Sequence, residues 1–234
     1  LLNASQSWAD SIQGEKGTID ITPLIHSSVQ LEYNGFVVQV DPWAAIDISH
    51  AKTADLILVT DSPGHHLDTN AISDLSDSDT SIIIAANGLD QIPDGVVAAN
   101  GELLKVAGIE VEAVAAYDII LGPPEHPKGD ANGYVLRLGG KNFFFAGVTE
   151  CVDEVKALKE IDVAFMPMNI PVGRMTPKAA ADCTKILSPD VVYTYHYDQD
   201  WVRRLANPDF GGSVLPGNLT VPETLNAFEN ELAG

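Results

Sequence analysis

The stretch Ala54-Asp-Leu-Ile-Leu-Val-Thr-Asp-Ser-Pro-Gly-His-His-Leu-Asp68 decides how this chain is read. An apolar run, Leu56 to Val59, stops at Thr60. It is followed by an acid (Asp61), a Pro63-Gly64 turn, two adjacent histidines (His65, His66) and a second acid (Asp68). A short run of branched apolar residues bounded by turn formers reads as a buried strand. A polar loop rich in metal-ligand residue types at the end of such a strand is a way to mount a site on a rigid scaffold. Asp and His are also ordinary turn residues, so the stretch by itself leaves both a catalytic loop and a plain strand-to-helix turn open.

On its N-terminal side, Val29-Gln-Leu-Glu-Tyr33 and Phe36-Val-Val-Gln-Val-Asp41 flank Asn34-Gly35, a strong hairpin signal. Residues 1–18 are polar and read as a loosely held N-terminal arm, and residues 19–234 as one domain, because no linker or composition shift divides them. On the C-terminal side, residues 70–75 suit a short helix and residues 81–86 a buried strand. Residues 96–115 read as a meander of three short strands, and residues 117–132 as a long irregular loop of the kind that carries function. A hairpin around Gly139-Gly140 follows. Beyond Gly147 strands alternate with helices: Val163-Ala-Phe-Met-Pro167 is a strand, Thr176-Pro177 opens a helix as N-cap and first-turn residue, and Val191-Val-Tyr-Thr-Tyr195 is a strand that delivers His196. Polar groups recur where apolar strands end, at Asp41, at Asp61 with His65 and His66, at Thr149 with Glu150, and at His196. Strands ending at one rim bring such groups together.

The chain has 234 residues, 45% of them hydrophobic and 20% charged, which is a globular composition. A net charge of -20 argues against a nucleic acid as standing partner and against an anionic membrane surface, and leaves a small-molecule substrate or ligand as the expected partner. No apolar run approaches the roughly 20 residues of a membrane span. The sequence starts at Leu1, which is read as the loss of an N-terminal segment; with a secretory signal as its explanation, the expected location is secreted or periplasmic. Cys151 and Cys183 are too few for a disulfide framework and read as small buried hydrophobes on neighbouring helices.

Taken together, four segments resemble the metallo-β-lactamase superfamily, in its lactonase-like and metallohydrolase branch. They are Thr22-Pro-Leu-Ile-His-Ser-Ser-Val with Val40-Asp41-Pro42-Trp43; the stretch quoted at the outset; His126-Pro-Lys-Gly with Asn132-Gly-Tyr-Val and Phe145-Ala-Gly-Val-Thr-Glu150; and Ile161-Asp-Val-Ala-Phe-Met-Pro-Met with Val191-Val-Tyr-Thr-Tyr-His196. The resemblance implies an α/β fold, a four-layered αββα sandwich with a metal site at one sheet rim. It also exposes departures. The family's ligand series Thr-His-x-His-x-Asp-His reads here Thr60, Asp61, Ser62, Pro63, Gly64, His65, His66, so Pro63 offers no donor at a ligand position. The family's metal-bridging Asp is Val148, and the intermediate ligand falls on Asp118 or His126.

What the resemblance implies is therefore a reduced, mononuclear site. The ligands are expected among His65, His66, His196, Asp61 and His126, with one divalent metal: zinc, or else manganese or iron. Asp61 or Asp68 would be a fourth ligand or a ring-orienting acceptor. The implied reaction is hydrolysis of an ester, lactone, amide or phosphodiester by a metal-bound hydroxide, with His65 and Asp61 as catalytic residues. The alternatives are an inactive pseudoenzyme that binds a ligand or partner at the same rim without metal, and metal-free acid–base chemistry by Asp61, His65 and Glu150. His26 is read as a buried histidine bonded to backbone, or else as lining the rim or bonding the site loop, and Asp41 as a structural turn acceptor rather than a ligand.

Overall fold

The structure is a computed structural model and describes residues 9–120, 126–168, 174–198, 204, 207–209 and 219–234. The first sheet takes the strands in order of sequence: β1 (Asp10–Gly14), β2 (Gly17–Ile25), β3 (Ser28–Tyr33), β4 (Phe36–Val40), β5 (Leu56–Val59), β6 (Ser81–Ile84) and β7 (Val96–Val97). Between β5 and β6 lies helix α1 (Thr69–Asp74). The second sheet is built from β8 (Leu103–Val106), β9 (Ile109–Ala116), β10 (Ala131–Leu138), β11 (Lys141–Phe145), β12 (Val163–Pro167) and β13 (Val191–Tyr195), again in sequence order across the sheet. Helices α2 (Asp153–Ala157), α3 (Pro177–Leu187) and α4 (Val221–Ala233) complete the described elements.

The two-residue side-chain period of a strand explains the layering. In β5, Leu56 and Leu58 join Ile19, Leu31 and Val38 in the core between the sheets, where they meet Tyr134, Phe143 and Phe165 of the second sheet. Their alternates Ile57 and Val59 face outward, onto Leu67 and Ile72 at and beside α1. In β12, Val163 and Phe165 point into the same inter-sheet core, while Ala164 and Met166 face Ala180, Cys183 and Phe228 of α3 and α4. Helix, sheet, sheet, helix is the expected αββα sandwich.

Turn chemistry sets the registers. Asn34-Gly35 (φ 51° and 84°) and Gly139-Gly140 (φ 58° and 77°) both occupy the left-handed region that two-residue hairpins of this hand require. Thr176 caps α3 by accepting from the Ala179 amide, with Pro177 in its first turn. Thr220 and Glu223 form a reciprocal capping box on α4.

Three expectations need correction. Residues 10–14 of the supposed arm are not loose: Asp10 to Gly14 pairs along its whole length with β2, and Tyr193 donates to Asp10 from the facing sheet; residues 1–8 lie outside the described residues. The meander over 96–115 is two structures. Val96–Val97 pairs in parallel with β6 in the first sheet, whereas β8 and β9 form a hairpin in the second, so the chain changes sheets between them. A two-residue strand carries too little pattern to show which sheet it joins.

Finally, Cys151 and Cys183 form a disulfide that ties the segment before α2 to the middle of α3, with Cα atoms 5.7 Å apart. Two cysteines 32 residues apart show nothing of this in sequence. Closing a loop of that size restricts the unfolded chain, so Cys183→Ala is expected to lower stability by roughly 2–4 kcal/mol. Calorimetry of the variant against oxidised and reduced wild type checks this; reduced wild type should match the variant.

Candidate metal centre

The site sits at one rim, where β4, β5 and β13 end and where β2 turns into β3. His26 occupies that two-residue turn with φ 56°, and its carbonyl accepts from the amide of His196 (3.3 Å), which joins the end of β13 to the turn. His196 leaves β13 with φ 59°. His65 and His66 follow the Pro63 turn, closed by amides of His66 and Leu67 donating to the Pro63 carbonyl. Three segments distant in sequence thus converge. Among the described residues, His26, His65, His66 and His196 each offer a ligand atom, and these atoms lie within 4.8 Å of one another.

Each imidazole is held by its surroundings. His66 is buried, and its Nδ1 donates to Asp41 Oδ2 at 2.7 Å, with Thr60 Oγ1 at 3.2 Å and Ser27 Oγ at 3.3 Å. Asp41 itself is fully buried and accepts from the Thr60 amide (2.7 Å) and the Thr60 hydroxyl (2.6 Å). The proton on Nδ1 leaves the Nε2 lone pair of His66 free to act as a ligand. His26 repeats the arrangement: Nδ1 donates to Asp198 Oδ1 at 2.8 Å, and Nε2 is buried without a hydrogen-bond partner. A carboxylate on the far nitrogen fixes the tautomer and raises the basicity of the near one, as outer partners of metal-bound histidines do. Burial pushes the His26 pKa below its ordinary value, against the upward pull of Asp198. It pushes the His196 pKa down further, helped by the neighbouring imidazoles. Burial thus favours in both rings the neutral form that a metal requires.

The fit to a cation rests on one contact. His66 Nε2 and His196 Nε2 face each other at 3.2 Å. A tetrahedral cation bound at about 2.0–2.1 Å by two nitrogens separates them by about 3.3 Å. With the His65 ring packed on His66 (centroids 4.5 Å), these three imidazoles suit a borderline divalent ion such as zinc, and the unpartnered Nε2 of His26 stands beside them. Trp43 stands edge-on to His26 (5.5 Å) and near His65 (6.0 Å), forming an apolar wall.

The other expected ligands form a second group. Asp61 Oδ1 accepts from Asn87 (2.6 Å) and from the Ser62 amide (2.8 Å), and its Oδ2 lies 3.7 Å from His126 Nε2. His126 Nδ1 is 3.3 Å from Asp118, whose carboxylate also accepts from the His126 amide (2.8 Å) and pairs with Arg174 (3.3 Å). Asp61 and His126 are thus brought to one another but not into the four-histidine cluster. Asp68 does not orient a ring: it caps α1, accepting from Asn70 and Ala71 amides, and its other oxygen accepts from Ala44. Glu150, expected as an acid–base group, accepts the amides of Ile119 and Ile120.

His26 stands inside the histidine cluster although no ligand role was expected of it, and Asp41 is an acceptor as expected, but for Thr60 and the ring of His66. The available signal for His26 was its place in the segment Thr22-Pro-Leu-Ile-His-Ser-Ser-Val. For Asp41 it was an acid closing an apolar strand, which the structure turns inward.

Comparison with known proteins agrees with the geometry. Residues 20–196 match the profile of the beta-lactamase superfamily domain. The chain belongs to the metallo-β-lactamase superfamily. A crystal structure of a Parabacteroides distasonis protein described as a metal-dependent hydrolase shares 36% identity with it, covering 91% of this chain and 99% of that one, with a TM-score of 0.77. Among curated relatives in the superfamily, a metal-dependent hydrolase of Pyrococcus abyssi is 29% identical over 72% of this chain and 77% of its own length. One of Methanopyrus kandleri is 28% identical over 76% and 83%. The reading of this chain as a hydrolase of the metallo-β-lactamase fold agrees with these relatives.

Proposed function

We propose that the protein hydrolyses a small-molecule ester, lactone, amide or phosphodiester at a site holding one divalent cation, with zinc the expected metal. The observation that carries this is the 3.2 Å approach of His66 Nε2 to His196 Nε2 inside a group of four histidines, three of them buried. His65, His66 and His196 would hold the ion. When bound, such an ion acidifies water and polarises the bond to be cleaved.

The rest is done by the chain. Asp41 locks His66 in the tautomer that turns Nε2 toward its neighbours. His26 and Asp198 form a dyad in which Nε2 of His26 accepts a proton from the attacking water and Asp198 stabilises the resulting imidazolium through Nδ1. Trp43 screens this side of the site from solvent, which strengthens the charge interactions inside it. Pro63 and Val148, the substitutions that suggest an inactive reading, leave the histidine cluster intact. The Cys151–Cys183 bridge supports a secreted or periplasmic setting, since structural disulfides persist in oxidising compartments.

The test is metal analysis of untagged protein after loading, alongside hydrolysis of a panel of simple esters, lactones and phosphodiesters. One equivalent of metal and turnover that a chelator removes and zinc restores are expected. Zinc, manganese and iron all well below one equivalent would sink the proposal, and full metal with no turnover would leave a binding protein.

A further inference from the structure

Dinuclear members of the superfamily hold a second cation, and the residues present here do not fit one. Two positions that should supply donors cannot: Pro63 has no side-chain donor, and Val148 is buried in a small apolar cluster with Ala116 and Ala131. Gly147 fixes that arrangement, because it turns at φ 66° so close to the chain that a Cβ would lie 2.6 Å from the Asn132 carbonyl.

What fills the space between the remaining ligand-type residues is a guanidinium. The Arg174 side chain is 3% exposed, with Nη1 3.3 Å from Asp118 Oδ2 and Nε 3.7 Å from Glu150 Oε2. The side chains of Asp118 and Glu150 are 0% and 6% exposed. Asp118 connects through His126 to Asp61, and Asp61 begins the loop that carries His65 and His66. Glu150 holds the amides of Ile119 (2.5 Å) and Ile120 (2.7 Å), so the same network positions these two residues beyond β9.

Buried carboxylates need a counter-charge. We propose that Arg174 supplies here the positive charge that a second metal supplies in a dinuclear member of the superfamily. Arg174 is then a positioning residue: it neutralises Asp118 and Glu150, excludes a second ion, and keeps the Asp61–His126 side of the rim in register with the histidine cluster. This goes beyond the single-cation reading of the histidines and stands on different residues.

The experiment counts metal in wild type, Arg174→Ala and Arg174→Lys after loading with zinc or manganese, and records melting temperature with and without added metal. Wild type and Arg174→Lys should each bind a single equivalent. Arg174→Ala leaves Asp118, which is bonded to His126, and Glu150 without their counter-charge, and these are oxygen and nitrogen donors of the kind manganese or zinc takes. It should bind one equivalent more, and melt roughly 10 °C lower than wild type without added metal, as an uncompensated buried charge in a chain of this size does. Added manganese should restore much of that loss. If Arg174→Ala is recovered only from manganese-supplemented cultures, that too supports the proposal. A second equivalent in wild type, or an Arg174→Ala protein that is insoluble in both conditions or unchanged in metal count, overturns it. His66→Ala separates this from the function proposed above. Should the histidine cluster hold nothing, the wild-type count is zero and His66→Ala changes nothing, yet Arg174→Ala still gains an equivalent.

Discussion

Replacing His196 by alanine is expected to release the metal and abolish hydrolysis. His196 Nε2 lies 3.2 Å from His66 Nε2 with both rings buried, so the substitution removes one of the two nitrogens that face each other across the cation position. Loss of a mere outer partner of a metal-bound histidine costs about 10–100-fold in affinity or activity; loss of the imidazole itself should exceed the upper end of that range. The measurement is metal content and chelator-competition affinity, with kcat/KM on whichever test substrate wild type hydrolyses. A distinguishing control is the stability of the metal-free protein. Removing a buried ring whose Nδ1 has no hydrogen-bond partner should cost metal-free protein far less than it costs loaded protein. Equal losses in both states would make His196 a packing residue and refute its role as a ligand.

The second large effect is expected at Asp41. Its carboxylate receives the Thr60 amide, the Thr60 hydroxyl and His66 Nδ1, all out of contact with solvent. Asp41→Ala strands these donors and should destabilise the metal-free protein by about 3–5 kcal/mol, the usual cost of breaking a buried charge-assisted set. Asp41→Asn keeps the shape but turns an amide NH2 toward one of the donors. It should retain more stability than Asp41→Ala yet still lose about 10–100-fold in metal affinity, because His66 is no longer held in one tautomer. Denaturant unfolding of the metal-free variants, combined with metal titration, separates the two effects. An Asp41→Asn protein with wild-type affinity would show that the carboxylate serves the fold alone.

How much of this was legible in the chain varies with the range of the interaction. Asn34-Gly35, Gly139-Gly140 and Thr176-Pro177 are local chemistry, and each turn or cap falls where its residues require. The double-sided burial of β5 and β12 follows from unbroken apolar runs, so the sandwich was readable once the family pattern was recognised. His65, His66 and His196 were likewise visible as polar groups at strand ends. His26 was visible only as a rim or buried histidine, because a single histidine in a turn has no periodicity, and its meaning comes from partners far along the chain, His65 and Asp198 among them. Asp41 looked like a turn acid because the sequence does not show that its side chain turns inward beneath Thr60. The second group shows a further limit. Asp61 and His126 do lie together, as the ligand pattern suggests. Yet Arg174, which sets the charge of that group, belongs to no part of the motif.

The left-handed backbone at His26, Asp41 and His196 (φ 56°, 42° and 59°) has a consequence for how this chain can drift in sequence. Such a conformation costs a residue with a Cβ about 1–2 kcal/mol, is tolerated by asparagine and is free for glycine. A library at positions 26 and 196 selected only for solubility should therefore fill with Gly and Asn and lose Val and Ile. A lineage that had given up the imidazole chemistry would be under the same pull. The same library selected for hydrolysis as well as solubility is expected to hold histidine at both corners against that pull.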